Sequence, residues 1–104
     1  MLFNQVLPRM KTGLAIYRKS WIDHFAFTVR WLELRSPAFG SEVNEPYLLR
    51  KRSKYGNATG QVSSGHYTLS LEDILAEDWE FSTVCPSTLK VGDLLKGCSL
   101  GTEN

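Results

Sequence analysis

Phe3, Val6, Leu7 and Met10 recur at three- and four-residue intervals, the period of one helical face. Asn4 stands where an N-cap is expected, and Gly13 supplies the residue beyond the C-cap. Pro8 fits a first turn, where its missing N–H costs little. These positions predict a helix over residues 4–12. After Gly13 the period changes to two. Leu14, Ile16 and Arg18 alternate with Ala15, Tyr17 and Lys19, which predicts a strand that Ser20 and Trp21 end. A longer alternation runs from His24 to Leu34. It sets Phe25, Phe27, Val29 and Trp31 on one face and Ala26, Thr28, Arg30 and Leu32 on the other, with no breaker inside it.

The second half of the chain is more broken. Ser36 to Ser41 has loop composition, and Tyr47 to Arg52 reads as a strand following Pro46. Tyr55 to Gly60 reads as a turn, making a hairpin with Gln61, Val62 and the residues after them. Ser63-Ser64-Gly65 reads as a further break. Ser70, with Asp73 three residues on, is a capping-box arrangement, and Ile74 and Leu75 supply a small apolar patch. Trp79, Phe81 and Thr83 then alternate with Asp78, Glu80 and Ser82 as a final strand. Leu89, Val91, Leu94 and Leu95 suit a short helix starting at Ser87, and residues 101–104 suit a frayed end. The sum is an α+β domain with a single, mainly antiparallel sheet, an N-terminal helix and a short helical turn before the last core strand. Residues 1–84 form the domain, and residues 85–104 form a partly ordered extension.

Composition narrows the classes. With 104 residues, 42% of them hydrophobic, the chain supports one small core. The net charge of +1 is uninformative, but its distribution is not. Residues 1–54 carry ten Lys/Arg against four Asp/Glu, and residues 55–104 carry two against seven. The halves either pair across one sheet or between subunits, or the basic half presents a face to an anion. Cys85 and Cys98 make no disulfide framework. No leader pattern or membrane-length apolar run is read, so the expected setting is cytoplasmic. His24 and His66 are isolated, and the cysteines lack ligand spacing, so neither a metal nor a cofactor is expected.

Three chemistries remain to be weighed. Glu72, Asp73, Glu77, Asp78 and Glu80 offer paired carboxylates, but a clustered acidic run is usually a capped turn followed by a solvated strand face, and that is the better account of them. No nucleophile context and no phosphate loop is found, so no enzyme activity is expected. Arg50 to Lys54, with Tyr55 at its end, is a basic run that suits either phosphates or the wet face of a strand. The small overall charge argues against a nucleic-acid partner. Trp21, Trp31, Trp79, Tyr17, Tyr67, Phe25 and Phe27 are many aromatics for so short a chain. Most serve a core, yet aromatic faces also stack on nucleobases, with Arg18, Lys19 and Arg30 nearby in sequence for phosphate.

The segment Tyr67-Thr68-Leu69-Ser70-Leu71-Glu72-Asp73-Ile74-Leu75-Ala76-Glu77-Asp78-Trp79-Glu80 resembles the end of the second Thoeris anti-defence family of phage proteins. Members typically read Trp-Thr-x-Ser-x-x-Asp-Leu-Leu-Ala-Glu-Asp-Trp-Glu there. Lys11 to Trp21 is similar to that family's Lys-x-Gly-x-x-Val-x-Arg-x-Gly-Trp. Ser20 replaces the usual Gly, Tyr67 the common Trp and Leu71 the common Gln. The resemblance implies a cytoplasmic sponge for immune signals: glycocyclic ADP-ribose in Thoeris, or cyclic dinucleotides of the CBASS type, held without cleavage. It implies a homo-oligomer, typically a tetramer with pockets at subunit interfaces. It also implies ligand-binding residues among Arg18, Trp21, Tyr67, Thr68, Ser70, Asp73 and Trp79. The alternative is a small inhibitor that blocks a host protein by direct binding.

Overall fold

The computed structural model describes residues 1–36, 45–56 and 62–96. Helix α1 (Phe3–Lys11) is followed by strands β1 (Ala15–Arg18), β2 (Ile22–Asp23), β3 (Thr28–Arg35), β4 (Tyr47–Lys54) and β5 (Ser63–Tyr67). Helix α2 (Leu71–Leu75), strand β6 (Trp79–Ser82) and helix α3 (Val91–Lys96) complete the order, with 3-10 turns at Lys19–Trp21 and Pro86–Thr88. The six strands form one sheet ordered β5-β4-β3-β1-β6, with β2 paired to β3, and every pairing is antiparallel. The expected α+β class, the N-terminal helix and the one-turn helix before the last strand are all present.

Helix α1 begins one residue earlier than the pattern predicts. Leu2 is the N-cap, not Asn4, because the Gln5 side chain accepts the Leu2 N–H at 2.7 Å. Pro8 therefore lies inside the helix, beyond the first turn where its missing N–H would cost little. The C-terminus follows the sequence closely. Gly13 has φ +97°, its N–H bonds the Met10 carbonyl at 3.0 Å, and the Leu14 N–H bonds the Arg9 carbonyl at 3.2 Å. This is the Schellman pattern, which closes both free carbonyls.

Two expectations about strands need correction. Residues 24–27 are a turn, not the start of the long strand. The Asp23 carboxylate accepts the N–H groups of Phe25 at 2.9 Å and Ala26 at 3.0 Å, which folds β2 back on β3. Phe25 and Phe27 are consequently exposed instead of joining the core. Ser63-Ser64-Gly65 is not a break either. It forms most of β5, with Arg52 opposite Ser63 and Arg50 opposite Gly65. The short helix expected from Ser87 is split into the Pro86–Thr88 turn and α3. The expected loop over 37–41, most of the 55–60 turn and the end at 101–104 lie outside the described residues.

Cross-strand partners share a face, so the register sorts the sheet into two. One face carries Ile16, Arg18, Arg30, Leu32, Arg50, Arg52, Tyr67, Trp79 and Phe81. Helix α1 covers its centre, with Phe3 edge-on to Trp79 at 5.3 Å and Arg9 over the Phe81 ring. The opposite face carries Ala15, Tyr17, Val29 and Trp31, all buried. The segment from Pro86 covers that face, with Leu89 and Leu94 in the core and the Tyr17 hydroxyl donating to the Leu94 carbonyl at 2.5 Å.

A candidate ligand cleft and the latch beside it

The capping box predicted at Ser70 is present. The Asp73 N–H donates to Ser70 Oγ at 3.1 Å, and the Ser70 N–H donates to Asp73 Oδ2 at 3.2 Å. Asp73 does more than cap α2. Its Oδ2 also accepts the Tyr67 hydroxyl at 2.6 Å from β5, and its Oδ1 accepts Arg18 Nη1 at 3.1 Å from β1. Its backbone carbonyl accepts Trp79 Nε1 at 2.8 Å. Arg18 meanwhile donates Nε to Asp78 at 2.8 Å, and Asp78 also accepts the Ser20 N–H at 3.1 Å. One residue thus ties α2 to three strands, to β5 and β1 through its carboxylate and to β6 through its backbone carbonyl.

The charges follow from this geometry. Burial works against ionising Asp73, but donors from Tyr67, Ser70 and Arg18 outweigh it and hold the carboxyl below its ordinary value. Asp78 is held low in the same way, burial being outweighed by Arg18 and the Ser20 N–H. Burial, the hydrogen bond to Asp73 and the charge of Asp73 push the Tyr67 hydroxyl up to about 12.

The aromatic side of the latch faces a cleft. Trp21 packs edge-on against Tyr67 at 5.8 Å and Trp79 at 5.3 Å, and the Arg30 guanidinium lies over the Trp21 ring at 5.0 Å. Beyond Trp21 opens a cleft of about 540 Å³. Residues 20–25 form one wall, and Thr28, Arg30, Arg50 and Arg52 of the sheet form the other.

Three arginines therefore reach one hollow. Arg30 and Arg52 are direct cross-strand partners, an arrangement in which like charges repel. Arg50 lies two residues from Arg52 on the same face. Among the described residues none of the three forms an ion pair. Arg50 Nε is buried with no hydrogen-bond partner, a state that carries a desolvation cost. Asp23, at the rim, is held below its ordinary value by the N–H groups of Ala26 and Phe25, with a smaller contribution from Arg52. The arrangement is suited to taking an anion, and no carboxylate of the described chain fills that role.

Of the seven expected ligand residues, Arg18, Trp21, Tyr67, Ser70, Asp73 and Trp79 come together, through Asp73 and the ring contacts. Thr68 is exposed between β5 and α2. Trp21 alone of the seven lines the cleft. Arg50, Arg52 and Phe25 line it too and were not among the seven. The alternation Arg50-x-Arg52 on a strand carried the signal, since it puts both on one face, but the partner strand that brings Arg30 alongside is not visible in one segment.

Among the described residues no group of His, Cys, Asp and Glu could hold a metal ion, and no helix is long and apolar enough to cross a membrane. A family model described as the Thoeris anti-defense 2-like (Tad2-like) domain matches residues 1–82. No curated protein and no solved structure gives a significant match.

Proposed function

Because this chain belongs to the Thoeris anti-defence 2-like family, its role lies in countering Thoeris defence, and we propose that it does so by capturing a cyclic-nucleotide immune signal. The signal is glycocyclic ADP-ribose or a cyclic dinucleotide, held intact in the host cytoplasm and withheld from its effector. The single observation that carries the reading is the cleft: Trp21 on one wall and, on the other, three arginines that have no carboxylate partner among the described residues.

Sequestration asks for affinity and burial, not for a nucleophile or a metal. Arginines supply charge-assisted hydrogen bonds to phosphate oxygens. In this reading Trp21 borders the ligand, while Arg18, Tyr67, Ser70, Asp73 and Trp79 hold Trp21 and the 19–21 turn in place. Thr68, next to that network, remains a candidate contact from the motif. The cleft is open on one side, which suits completion by a second copy in a homo-oligomer.

The test is capture and release. Purified protein is incubated with glycocyclic ADP-ribose or with cyclic dinucleotides, separated from free ligand and heat-denatured. Depletion followed by recovery of intact signal supports sequestration. Recovery of a degraded product would make the protein an enzyme, and no depletion of any signal would leave direct inhibition of a host protein as the better reading. Light scattering coupled to size exclusion tests the oligomer, and a clean monomer would rule out interface pockets.

A further inference from the structure

Phe25 is 96% exposed, yet the turn that carries it is tied by hydrogen bonds. Asp23 accepts the N–H groups of Phe25 and Ala26. Phe27 sits at φ 55°, a conformation that bulky residues rarely adopt. It is held there by the Tyr55 N–H, which donates to its carbonyl at 3.0 Å, and by the Tyr55 ring at 6.3 Å. A backbone outlier fixed by its surroundings at the edge of a cleft points to a position held for function. The result is a phenyl ring presented to water at the mouth of the arginine cleft.

Trp21 is poorly placed to offer its own face. It is only 8% exposed, Arg30 lies over its ring, and Tyr67 and Trp79 pack against it. The open aromatic surface at this site is Phe25. We propose that the cleft takes a phosphate ester of a planar heterocycle, with Phe25 stacking on the ring and Arg30, Arg50 and Arg52 holding the phosphate. The proposal rests on the sequestration reading and assigns its specificity: a ligand lacking either the flat ring or the phosphate binds weakly. Stacking covers an apolar surface otherwise left in water, and phosphate oxygens supply the acceptors that Arg50 Nε lacks. A small nucleotide and a single-stranded oligonucleotide share this chemistry, and the experiment separates them.

Titration calorimetry of the intact protein uses four probes: glycocyclic ADP-ribose, cyclic di-GMP, ribose 5-phosphate and an oligothymidylate. Phe25→Ala and Arg52→Gln are compared with the unmodified chain, and both positions are exposed, so unchanged melting temperatures verify folding. The expected result is binding of a cyclic nucleotide, at least about tenfold weaker in Phe25→Ala, with affinity retained in Phe25→Trp. Arg52→Gln weakens binding and flattens its salt dependence. Ribose 5-phosphate binds weakly and is insensitive to Phe25. If the cyclic nucleotide binds tightly and neither substitution matters, the assignment is overturned while sequestration stands. If only the oligothymidylate binds, with the same dependence on Phe25 and Arg52, the cleft chemistry stands and the sequestration reading falls. If no probe binds, both fall.

Discussion

The Tyr67 hydroxyl donates to Asp73 at 2.6 Å, and through that bond the edge strand β5 is tied to the helix that precedes β6. The same carboxylate also receives Arg18 and the Ser70 N–H. Removing its charge leaves Arg18 with Asp78 as its closer remaining partner and leaves the Tyr67 hydroxyl and the Ser70 N–H short of an acceptor. Asp73→Ala is expected to cost about 3 kcal/mol, the low end for breaking a buried pair because Asp78 remains. Urea unfolding measures it. A loss below about 1 kcal/mol would show that Asp73 is not the keystone of the network.

The same network sets the response to pH. Asp73 and Asp78 have folded values below the unfolded carboxylate range, so their contribution is present above about pH 4 and is lost as pH falls through the depressed folded values. Tyr67 is the opposite case. Its folded value is raised, so its contribution is complete below the ordinary tyrosine value of about 10 and disappears as pH climbs through about 12. Stability is therefore expected to be flat from about pH 5 to 9 and to fall on either side. Asp73→Asn should flatten the acid limb, and Tyr67→Phe the alkaline one. Melting temperatures across pH 2–12 give the check, and an acid limb unaltered in Asp73→Asn would contradict the assignment.

Helix α1 offers a cleaner test of backbone preference. A Cβ placed on Gly13 would meet nothing within 4 Å, so sterics with neighbours are not at issue. The left-handed conformation at φ +97° is the whole cost. Gly13→Ala is expected to destabilise by about 1–2 kcal/mol, and Gly13→Asn by less. Equal stabilities for the three residues would mean that the Schellman turn does not form in solution.

These comparisons show where one-dimensional patterns succeed. Ser70 with Asp73, and Gly13 after Met10, are local devices whose partners lie within a few residues, so spacing alone reveals them. The stretch from His24 to Phe27 alternates as a strand should, but Asp23 captures its N–H groups before a neighbouring strand can. Arg50 and Arg52 read equally as phosphate contacts or as a solvated strand face, because their meaning depends on Arg30, some twenty residues away and brought alongside only by the β3–β4 register. Arg18 shows the converse. It is near Trp21 in sequence and reads as a natural phosphate ligand, but Asp73 of α2 and Asp78, just before β6, surround it.

The segment after the family match makes the last prediction. The match ends at residue 82, yet Leu94 is 0% exposed. It fills the face of the sheet that carries Tyr17, Val29 and Trp31, and Tyr17 reaches its backbone carbonyl. Without residues after 84, that face would lie open to water or require another surface to cover it. Leu94→Ala is expected to lose about 2–4 kcal/mol, the range for a buried leucine that leaves a cavity. Tyr17→Phe is expected to lose about 1 kcal/mol, the usual net value of one hydrogen bond. A chain ending at residue 84 should either fail to fold as a monomer or associate through the uncovered face. Urea titration and light scattering distinguish these outcomes from a stable, monomeric 1–84 fragment, which would show that the segment is only an appendage to a complete domain.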